Sequence, residues 1–417
     1  MNRRSPRLAL AVAVVVTAAA CGHAAPDPAP SPTAAPPSPA ETLPSSSAAP
    51  SPLVTAMPSR GGAPAGGPAT RIAVAGNQFV DGHGRPVRLR GFNHAGAEYS
   101  CVEGTGVFDT PDGAAPSVAV VKAMRGWRGA GAVRVPLNEQ CWLGLPSVPA
   151  EYAGEPYRRA IRTFVTRLNA QGFTAVLDLH RSAPGDAVPH EQEQMPDRDH
   201  SIDFWRSVAA TFTSGAVVFD LFNEPFPYAE PDTDRAWACW RAGGCTLTST
   251  NSGEPYVAAG MSELVAAVRG TGSRTVVLAG GIYWAEGMTR WLRYRPADPL
   301  GQLAASFHAY SFNECADVRC YDRDLAPIAA AVPLFVGEIG PRLAVAPGAD
   351  VDESCPASVM RPGGFATATF DWLDRHGASY TPWSWNPWGD CWSLVRGWDG
   401  EPTAVWGDQV RRRLAAG

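Results

Sequence analysis

Short apolar runs rich in β-branched residues recur along the chain, and helix-like or polar stretches separate them. Eight of these runs predict β-strands, at residues 87–92, 132–135, 174–179, 216–222, 275–278, 303–307, 334–336 and 378–381. Amphipathic patterning predicts helices between several of them, at residues 156–171, 202–213, 256–269 and 365–376. Strand and helix alternating eight times within roughly 300 residues favours an α/β fold, the (β/α)8 TIM barrel. An open doubly wound sheet is disfavoured because no glycine-rich phosphate turn follows the first strand.

The stretch before the first strand predicts a cap for one end of the barrel. Residues 77–87 predict a short β-hairpin around Asp81-Gly82-His83-Gly84, because Asp and Gly favour the tight turns of hairpins. We expect this hairpin to close the barrel floor. The barrel domain is then expected to span residues 71–417.

Two segments of different composition precede this domain. Residues 22–70 hold 13 Pro, 12 Ala and 7 Ser but no aromatic residue, which predicts a disordered, extended linker. Residues 1–20 carry Arg3, Arg4 and Arg7, and an apolar run follows up to position 20. That run is shorter than a membrane span requires, and it predicts a secretory signal peptide.

The cysteine that follows this leader is a candidate lipidation site. Ala18-Ala19-Ala20-Cys21 resembles a bacterial lipobox in which Ala18 stands where Leu is usual. Simple cleavage near Ala20 or Ala25 is the alternative. We therefore expect an exported protein, held at the extracellular face of the cell membrane by a lipid on Cys21 or secreted.

Cysteine usage agrees with export. Eight of the nine cysteines remain once Cys21 is set apart, and an even set in an exported chain predicts disulfide bonds. Zinc binding is the competing hypothesis, but the sequence contains no paired C-x-x-C spacing. We expect four local pairs: Cys101–Cys141, Cys239–Cys245, Cys315–Cys320 and Cys355–Cys391.

Composition and charge restrict the partners of the protein. The chain is 45% hydrophobic and 18% charged, the balance of an ordinary globular protein. Its formal net charge of −5 leaves no basic excess to neutralise phosphates, so nucleic-acid binding is not expected. We expect a monomer whose membrane contact is limited to the lipid anchor.

Polar, titratable and aromatic residues collect where the predicted strands end, which is the edge of a TIM barrel that carries its working residues. They include Asn93, Arg134, His180, Asn223, Glu224, His308, Tyr310, Glu338, Trp383 and Trp385. Glu224 and Glu338 directly end buried strands, where an ionisable group is costly unless chemistry or pairing requires it. Two carboxylates that face each other across a barrel mouth are the pair of catalytic groups that glycoside hydrolysis uses.

Three alternatives to this chemistry stay open. Each carboxylate taken alone fits a salt bridge at the barrel mouth. A non-catalytic carbohydrate-binding barrel is the second alternative, since a fold does not fix a function. The third is a metal-dependent hydrolase, unsupported by any tight ligand spacing, with the candidate ligands His180, His308, Glu224 and Glu338. Asp178 and Asp220 lie inside strands, and we expect them to pair with barrel arginines.

The sequence around Glu224 resembles a known family. Val217-Val-Phe-Asp-Leu-Phe-Asn-Glu-Pro-Phe226 is similar to the signature of glycoside hydrolase family 5, the cellulase family of clan A. Further similar motifs follow in the expected order at residues 90–93, 134–137, 177–180, 308–310 and 335–340. The Cys-rich loops and the Trp-rich stretch 383–406 depart from the general pattern of the family.

The resemblance implies a role for each matching residue. Glu224 would be the acid/base and Glu338 the nucleophile of a retaining double displacement, with their carboxyl groups about 5 Å apart. The implied substrate-binding residues are Arg134, His180, Asn223, His308, Tyr310 and Trp383, with Trp385 as an alternative stacking residue. The resemblance implies no metal and no organic cofactor.

The resemblance also implies the substrate class. The expected reaction is cleavage of β-glycosidic bonds in a polysaccharide or oligosaccharide, as in an endo-β-1,4-glucanase. Mannan or another β-glycoside fits the same residues, because the loops over the barrel mouth shape the subsites. We further expect Glu338 to be ionised beside Arg134, and its charge to raise the pKa of Glu224.

Overall fold

The computed structural model describes residues 67–341 and 364–417. The predicted signal peptide, Cys21 and nearly all of the predicted linker lie outside these residues, as does Cys355. The described part begins with three short strands, β1 (Ala73–Ala75), β2 (Gln78–Val80) and β3 (Pro86–Val87). They form an antiparallel sheet in the order β1-β2-β3.

The turn between β2 and β3 is the predicted hairpin turn. Asp81 organises it, because its Oδ1 accepts hydrogen bonds from the backbone N–H groups of His83 and Arg85 at 2.9 and 3.0 Å. Its Oδ2 pairs with the Arg85 guanidinium at 2.7 Å. Strand β1 adds a third strand that the sequence did not indicate.

Eight parallel strands form the barrel. They are β4 (Gly91–Asn93), β5 (Ala132–Asn138), β6 (Thr174–Arg181), β7 (Val217–Asp220), β10 (Val277–Gly280), β11 (Leu303–Tyr310), β12 (Leu334–Gly340) and β13 (Ser379–Tyr380). Their order in the sheet is β13-β12-β11-β10-β7-β6-β5-β4, and a parallel bridge between Arg90 and Tyr380 joins its two edges. The backbone N–H of Asn93 also donates to the carbonyl of Pro382 at 2.9 Å. The predicted TIM barrel is thereby confirmed, with a strand at each of the eight predicted runs.

The N-terminal sheet closes the barrel floor, as predicted. Ile72 and Phe79 are 4% and 3% exposed and belong to a separate apolar cluster at this end. The cluster brings them against side chains from six barrel strands, namely Ala132, Val176, Val218, Leu278, Ala304 and Phe335. Burying this apolar surface stabilises the closed end of the barrel.

Helices surround the barrel. They are α1 (Ser100–Glu103), α2 (Val118–Arg125), α3 (Glu139–Leu143), α4 (Glu155–Ala170), α5 (Ser201–Thr211), α6 (Asp234–Ala242), α7 (Met261–Gly270), α8 (Trp291–Tyr294), α9 (Val318–Cys320), α10 (Ala326–Ala331), α11 (Phe365–Arg375) and α12 (Trp406–Ala416). Helix α4 shows why the sequence pattern predicted a helix. Its buried residues Tyr157, Ile161, Phe164 and Leu168 are spaced three and four positions apart. Among the described residues, no helix has both the length and the apolar character needed to cross a membrane.

One predicted helix was wrong in its first half. Residues 256–269 contain strand β9 (Pro255–Ala259) before helix α7 begins at Met261. Strand β9 pairs antiparallel with β8 (Gly243–Thr248), so the two form a hairpin in the loop after β7. Tyr256 and Ala258 are buried while Val257 is 42% exposed. This alternation has a period of two and not the helical period, which is why the helix starts later.

Three of the four predicted disulfide pairs are formed in the structure: Cys101–Cys141, Cys239–Cys245 and Cys315–Cys320. They close loops at the rim, and Cys239–Cys245 ties helix α6 to strand β8. Cys391 is also disulfide-bonded, but the predicted partner Cys355 is not among the described residues, so this pairing stays a prediction.

Candidate active site

The carboxyl ends of the barrel strands surround a cleft of about 390 Å³. Its walls are His180, Gln192, Asn223, Glu224, Trp284, Tyr310, Phe312, Asn313, Glu338, Trp383 and Trp392. Six of the predicted site residues therefore line one cavity: His180, Asn223, Glu224, Tyr310, Glu338 and Trp383. Arg134 and His308 lie directly beneath it, fully buried.

The two predicted carboxylates meet in this cleft. Glu338 lies inside β12, and a register shift in the β11–β12 pair places His308 opposite Glu338. His308 Nδ1 lies 2.8 Å from Oε1 of Glu224 and 3.8 Å from Oε2 of Glu338. One carboxylate oxygen of Glu224 and one of Glu338 lie within 4.8 Å of each other. This separation is close to the roughly 5–5.5 Å of a retaining pair of carboxyl groups and well below the roughly 6.5–9.5 Å of inverting pairs.

Arg134 connects these carboxylates to the barrel interior. Its guanidinium is fully buried and contacts three acidic side chains. The contacts are Nη1 to Glu338 Oε1 at 2.9 Å, Nη2 to Asp178 Oδ2 at 3.0 Å and Nε to Asp220 Oδ2 at 3.0 Å. As expected from the sequence, Asp178 and Asp220 are the strand carboxylates that pair with a barrel arginine.

Two amide side chains complete the surroundings of Arg134. Its Nη2 donates to Oδ1 of Asn223 at 2.9 Å, and its Nη1 donates to Oδ1 of Asn93 at 3.1 Å. Asn93 in turn donates from Nδ2 to the carbonyls of Gly337 and Thr381 at 2.8 and 2.7 Å. The backbone around Glu338 is thereby tied to the same network as its carboxylate.

One guanidinium cannot balance three ionised carboxylates. Burial raises the pKa of Asp220 to about 8, against the lowering effect of the Arg134 charge. Burial likewise raises the pKa of Asp178 to about 6, again opposed by Arg134. Both shifts favour the protonated carboxyl groups and so reduce the negative charge around Arg134. This leaves Arg134 available to the carboxylate of Glu338.

The pKa of Glu224 is suited to an acid. Burial raises it to about 7, and Arg134 and a hydrogen bond from Gln192 only partly oppose the rise. The sequence predicted a raised pKa from the charge of Glu338, so the direction agrees but the main cause is burial. Burial also lowers the pKa of His308 to about 4. The imidazole that contacts Glu224 is accordingly neutral at pH 7.

Tyr310 holds the other oxygen of Glu338. Its hydroxyl donates to Oε2 of Glu338 at 2.5 Å. Burial and the nearby charge of Glu338 raise the pKa of the Tyr310 phenol far above its usual value, so the phenol stays protonated and remains a donor. With Arg134 on Oε1 and Tyr310 on Oε2, both oxygens of Glu338 are fixed, which orients the carboxylate toward the cleft.

His180 and Trp383 form one wall of the cleft. Their rings stack with centroids 5.6 Å apart and an interplanar angle of 21°. His180 Nδ1 hydrogen-bonds Oδ2 of Asp178 at 2.7 Å, and burial lowers the pKa of His180 to about 3. This wall is uncharged and flat, a surface on which the apolar face of a sugar ring packs well.

The prediction that Trp385 is an alternative stacking residue is corrected by the structure. Trp385 is fully buried and packs on Phe92 and Trp127, with ring centroids 4.6 and 4.8 Å apart. The prediction assumed that strand alternation places Trp383 and Trp385 on the same face. Strand β13 ends at Tyr380, so the alternation does not extend to either tryptophan.

Several cleft residues were missed by sequence reasoning because they come from irregular loops. Gln192 accepts from Nδ2 of Asn223 at 3.1 Å and donates to the carbonyl of Glu224 at 2.8 Å. Trp284 and Phe312 are 38% and 54% exposed. Exposed aromatics in a loop after a barrel strand are the signal that would have indicated Trp284 and Phe312, whereas a Gln in a long loop gives none.

Comparison with known proteins identifies relatives over most of the chain. The family model of cellulase, glycosyl hydrolase family 5, matches residues 80–389. A mannan endo-1,4-β-mannosidase of Streptomyces lividans is 24% identical over 363 residues, which cover 84% of this chain and 75% of that protein.

Solved structures share the fold. A β-glucanase of Saccharophagus degradans superposes with a TM-score of 0.61 and 19% identity, covering 87% of this chain and 98% of that one. A β-mannanase of Thermomonospora fusca in complex with mannotriose gives a TM-score of 0.57 and 16% identity, covering 84% and 97%. At these identities the similarity establishes the barrel fold alone.

Proposed function

The chain belongs to glycosyl hydrolase family 5, the cellulase family, and is a retaining glycosidase; we propose that Glu338 is its nucleophile and Glu224 its acid/base. The single observation that carries these assignments is the approach of the two carboxylates within 4.8 Å across the cleft. That spacing leaves no room for a water molecule between carboxylate and sugar, which an inverting enzyme needs.

In the first step, an ionised Glu338 oxygen attacks the anomeric carbon of the sugar. The bond from that carbon to the departing oxygen breaks as a new carbon–oxygen bond to Glu338 forms. Glu224 transfers its proton to the departing oxygen, which leaves as a hydroxyl group. With its pKa raised to about 7, Glu224 is protonated in a large fraction of molecules in neutral solution, and a pKa near the working pH suits proton transfer.

In the second step, Glu224 acts as a base. It takes a proton from a water molecule, whose oxygen attacks the same anomeric carbon and breaks the ester bond to Glu338. Glu338 leaves as a carboxylate and Glu224 is protonated again, so the site returns to its starting state. Arg134 and Tyr310 contact the two oxygens of Glu338 and stabilise the charge that reappears there.

The proposed substrate is a β-1,4-linked polysaccharide of neutral hexoses. The expectation from the sequence is a glucan, as for an endo-β-1,4-glucanase. A mannan is the second candidate, and the relative described as a mannan endo-1,4-β-mannosidase favours it. The open cleft, with aromatic rings from Trp284, Phe312, Trp383 and Trp392, accommodates several sugar units of either chain.

The first prediction concerns this substrate class. We expect the protein to release reducing ends from a β-1,4-glucan or a β-mannan, with Glu338→Gln as the matched blank that keeps the side-chain shape. Loss of the nucleophile should lower kcat by a factor of at least about 10³. The measurement is reducing-end release from a panel of β-glucans, mannan and xylan, repeated with a chelator.

Each outcome of that panel is informative. If the folded, oxidised protein releases no reducing ends from any of the polysaccharides, the proposed activity is overturned in favour of a binding role. Activity that survives in Glu338→Gln would contradict the role of Glu338. Loss of activity with the chelator would favour a metal-dependent reaction, because Glu224, His308 and Glu338 offer one ligand atom each within 4.8 Å.

The second prediction concerns pH. Since Glu224 must carry a proton and burial raises its pKa to about 7, kcat/KM on a polysaccharide should fall as the pH rises through about 7. An aryl glycoside with a strongly acidic leaving group needs no proton, so its kcat/KM should lack this alkaline fall. The same alkaline fall with both substrates would contradict the role of Glu224 as the acid.

We also propose that the protein is exported and held at the cell surface by a lipid on Cys21. The three disulfide bonds support export, because such bonds persist in oxidising compartments. Export places the barrel where polysaccharides are met. The proposed state is a monomer, which light scattering of the purified protein checks.

The third prediction tests the anchor. The protein should partition with membranes when expressed in a bacterium that processes lipoproteins, and Cys21→Ala should release it to the soluble exported fraction. His23→Ala is the matched control, because it changes a residue close to Cys21 while leaving the Cys21 thiol in place, and it should leave the partition unchanged. Equal partition of the parent and of Cys21→Ala would contradict lipidation.

A further inference from the structure

A second pocket of about 260 Å³ lies at the rim of the barrel. Its lining combines two loops, with Asp109, Thr110 and Pro111 from the loop after β4 and Pro387, Trp388 and Trp398 from the loop after β13. It shares no lining residue with the catalytic cleft. The function argued above assigns nothing to it.

The pocket is adjacent to the catalytic cleft through a pair of tryptophans. The ring of Trp388, which lines the pocket, lies 6.3 Å from the ring of Trp383, which lines the cleft. The two rings are inclined by 39°. Trp388 is thereby within reach of a sugar chain that extends from the cleft over Trp383.

Asp109 gives the pocket a fixed polar group. Its Oδ2 accepts hydrogen bonds from Nε1 of Trp388 at 2.6 Å and from the hydroxyl of Tyr99 at 2.7 Å. These bonds hold both the carboxylate and the Trp388 ring in place. Among the residues that the structure describes, none hydrogen-bonds Oδ1 of Asp109, so this oxygen is available to accept from a hydroxyl group.

Trp398 is supported from behind. Its ring stacks on the imidazole of His94, with centroids 5.6 Å apart and an angle of 25°. His94 is fully buried and contacts the rings of Phe108 and Phe164 in turn. Burial lowers the pKa of His94 to about 4, so the supporting ring is neutral. Trp398 itself remains half-buried, with part of its surface exposed in the pocket.

We propose that this pocket binds a further hexose unit of the same polysaccharide chain whose bond is cleaved between Glu224 and Glu338. The proposal rests on the proposed function and adds the position of a remote subsite. Two indole faces and one fixed carboxylate match a pyranose ring, which has an apolar face and a rim of hydroxyl donors. A neutral sugar fits better than an acidic one, because the free oxygen of Asp109 is an acceptor.

Core packing alone does not account for the exposed parts of Trp388 and Trp398. Trp385 and Trp406, at 0% and 1% exposure, are enclosed in the core, whereas Trp398 packs against the core with only part of its surface. Trp388 and Trp398 are instead half-buried and open to a cavity. Their indole rings line the same small space as the Asp109 carboxylate.

A bound sugar at this site should appear as a dependence of affinity on chain length. The test uses the full chain carrying Glu338→Gln as the parent, so that oligosaccharides are bound without being cleaved. Calorimetry gives the Kd for β-1,4-gluco- and manno-oligosaccharides of two to six units. The quantity compared is the ratio of the Kd for the shortest chain to the Kd for the longest. A substitution that weakens binding of all chain lengths by the same factor leaves this ratio unchanged.

We expect this ratio to fall about tenfold when Trp398→Ala is added to the parent, the usual cost of truncating an aromatic anchor. Trp398→Phe, which keeps a flat ring on His94, is the matched control and should preserve most of the ratio. Addition of Asp109→Ala should also reduce the ratio, because it removes the acceptor and one restraint on Trp388.

Failure of this proposal is distinguishable from failure of the proposed function. A ratio unchanged in Trp398→Ala, or a parent whose affinity does not rise with chain length, would overturn the subsite while the glycosidase assignment stands. A parent that binds no oligosaccharide of any length, together with a wild-type chain inactive on the polysaccharide panel, would overturn the proposed function itself.

Discussion

A single buried guanidinium, that of Arg134, is the group on which the rest of the site depends. It is fully excluded from solvent and lies about 3 Å from each of Asp178, Asp220 and Glu338. Burying a charge is costly unless it is paired and hydrogen-bonded, and the planar fork of arginine allows several carboxylates to be met at once. One positive charge among three acidic groups leaves an excess of buried negative charge, and burial raises the pKa of Asp220 and Asp178 against the charge of Arg134.

This network also joins the fold to the chemistry. Its members come from β5, β6 and β7, which are neighbours in the sheet, and from β12, which lies near the opposite edge of the sheet and meets Arg134 across the barrel interior when the barrel is closed. Closing the barrel therefore assembles the charge arrangement, and the charge arrangement fixes Glu338. Glu224 lies on the opposite side of the cleft. Burial raises its pKa, and the neutral His308 contacts its carboxyl group. The two carboxylates reach different protonation behaviour because their surroundings differ, although they share one cleft.

The sequence predicted the barrel and the central site residues because both depend on regular patterns. Glu224 and Glu338 each follow or end an apolar run, and the ends of parallel strands meet at one rim. Predictions failed where the backbone leaves regular structure. Trp385 was misplaced beyond the end of β13, and residues 255–259 form a strand inside a loop insertion. Gln192 and Asp109 act through loop geometry, for which a single sequence contains no periodic signal.

The charge of Arg134 thus balances the buried carboxylates. The most direct test of this balance is to measure the free energy of unfolding of Arg134→Met at pH 7 and at pH 5. Arg206→Met is the control, because Arg206 forms an exposed ion pair with Asp203. Without Arg134 the folded-state pKa values of the carboxyl groups rise, so stability is retained at low pH and lost as the pH increases. We predict a loss of about 3–5 kcal/mol at pH 7, a clearly smaller loss at pH 5, and a change below about 1 kcal/mol in the control. An Arg134→Met variant as stable as the wild-type chain at pH 7, or equally destabilised at both pH values, would contradict this balance.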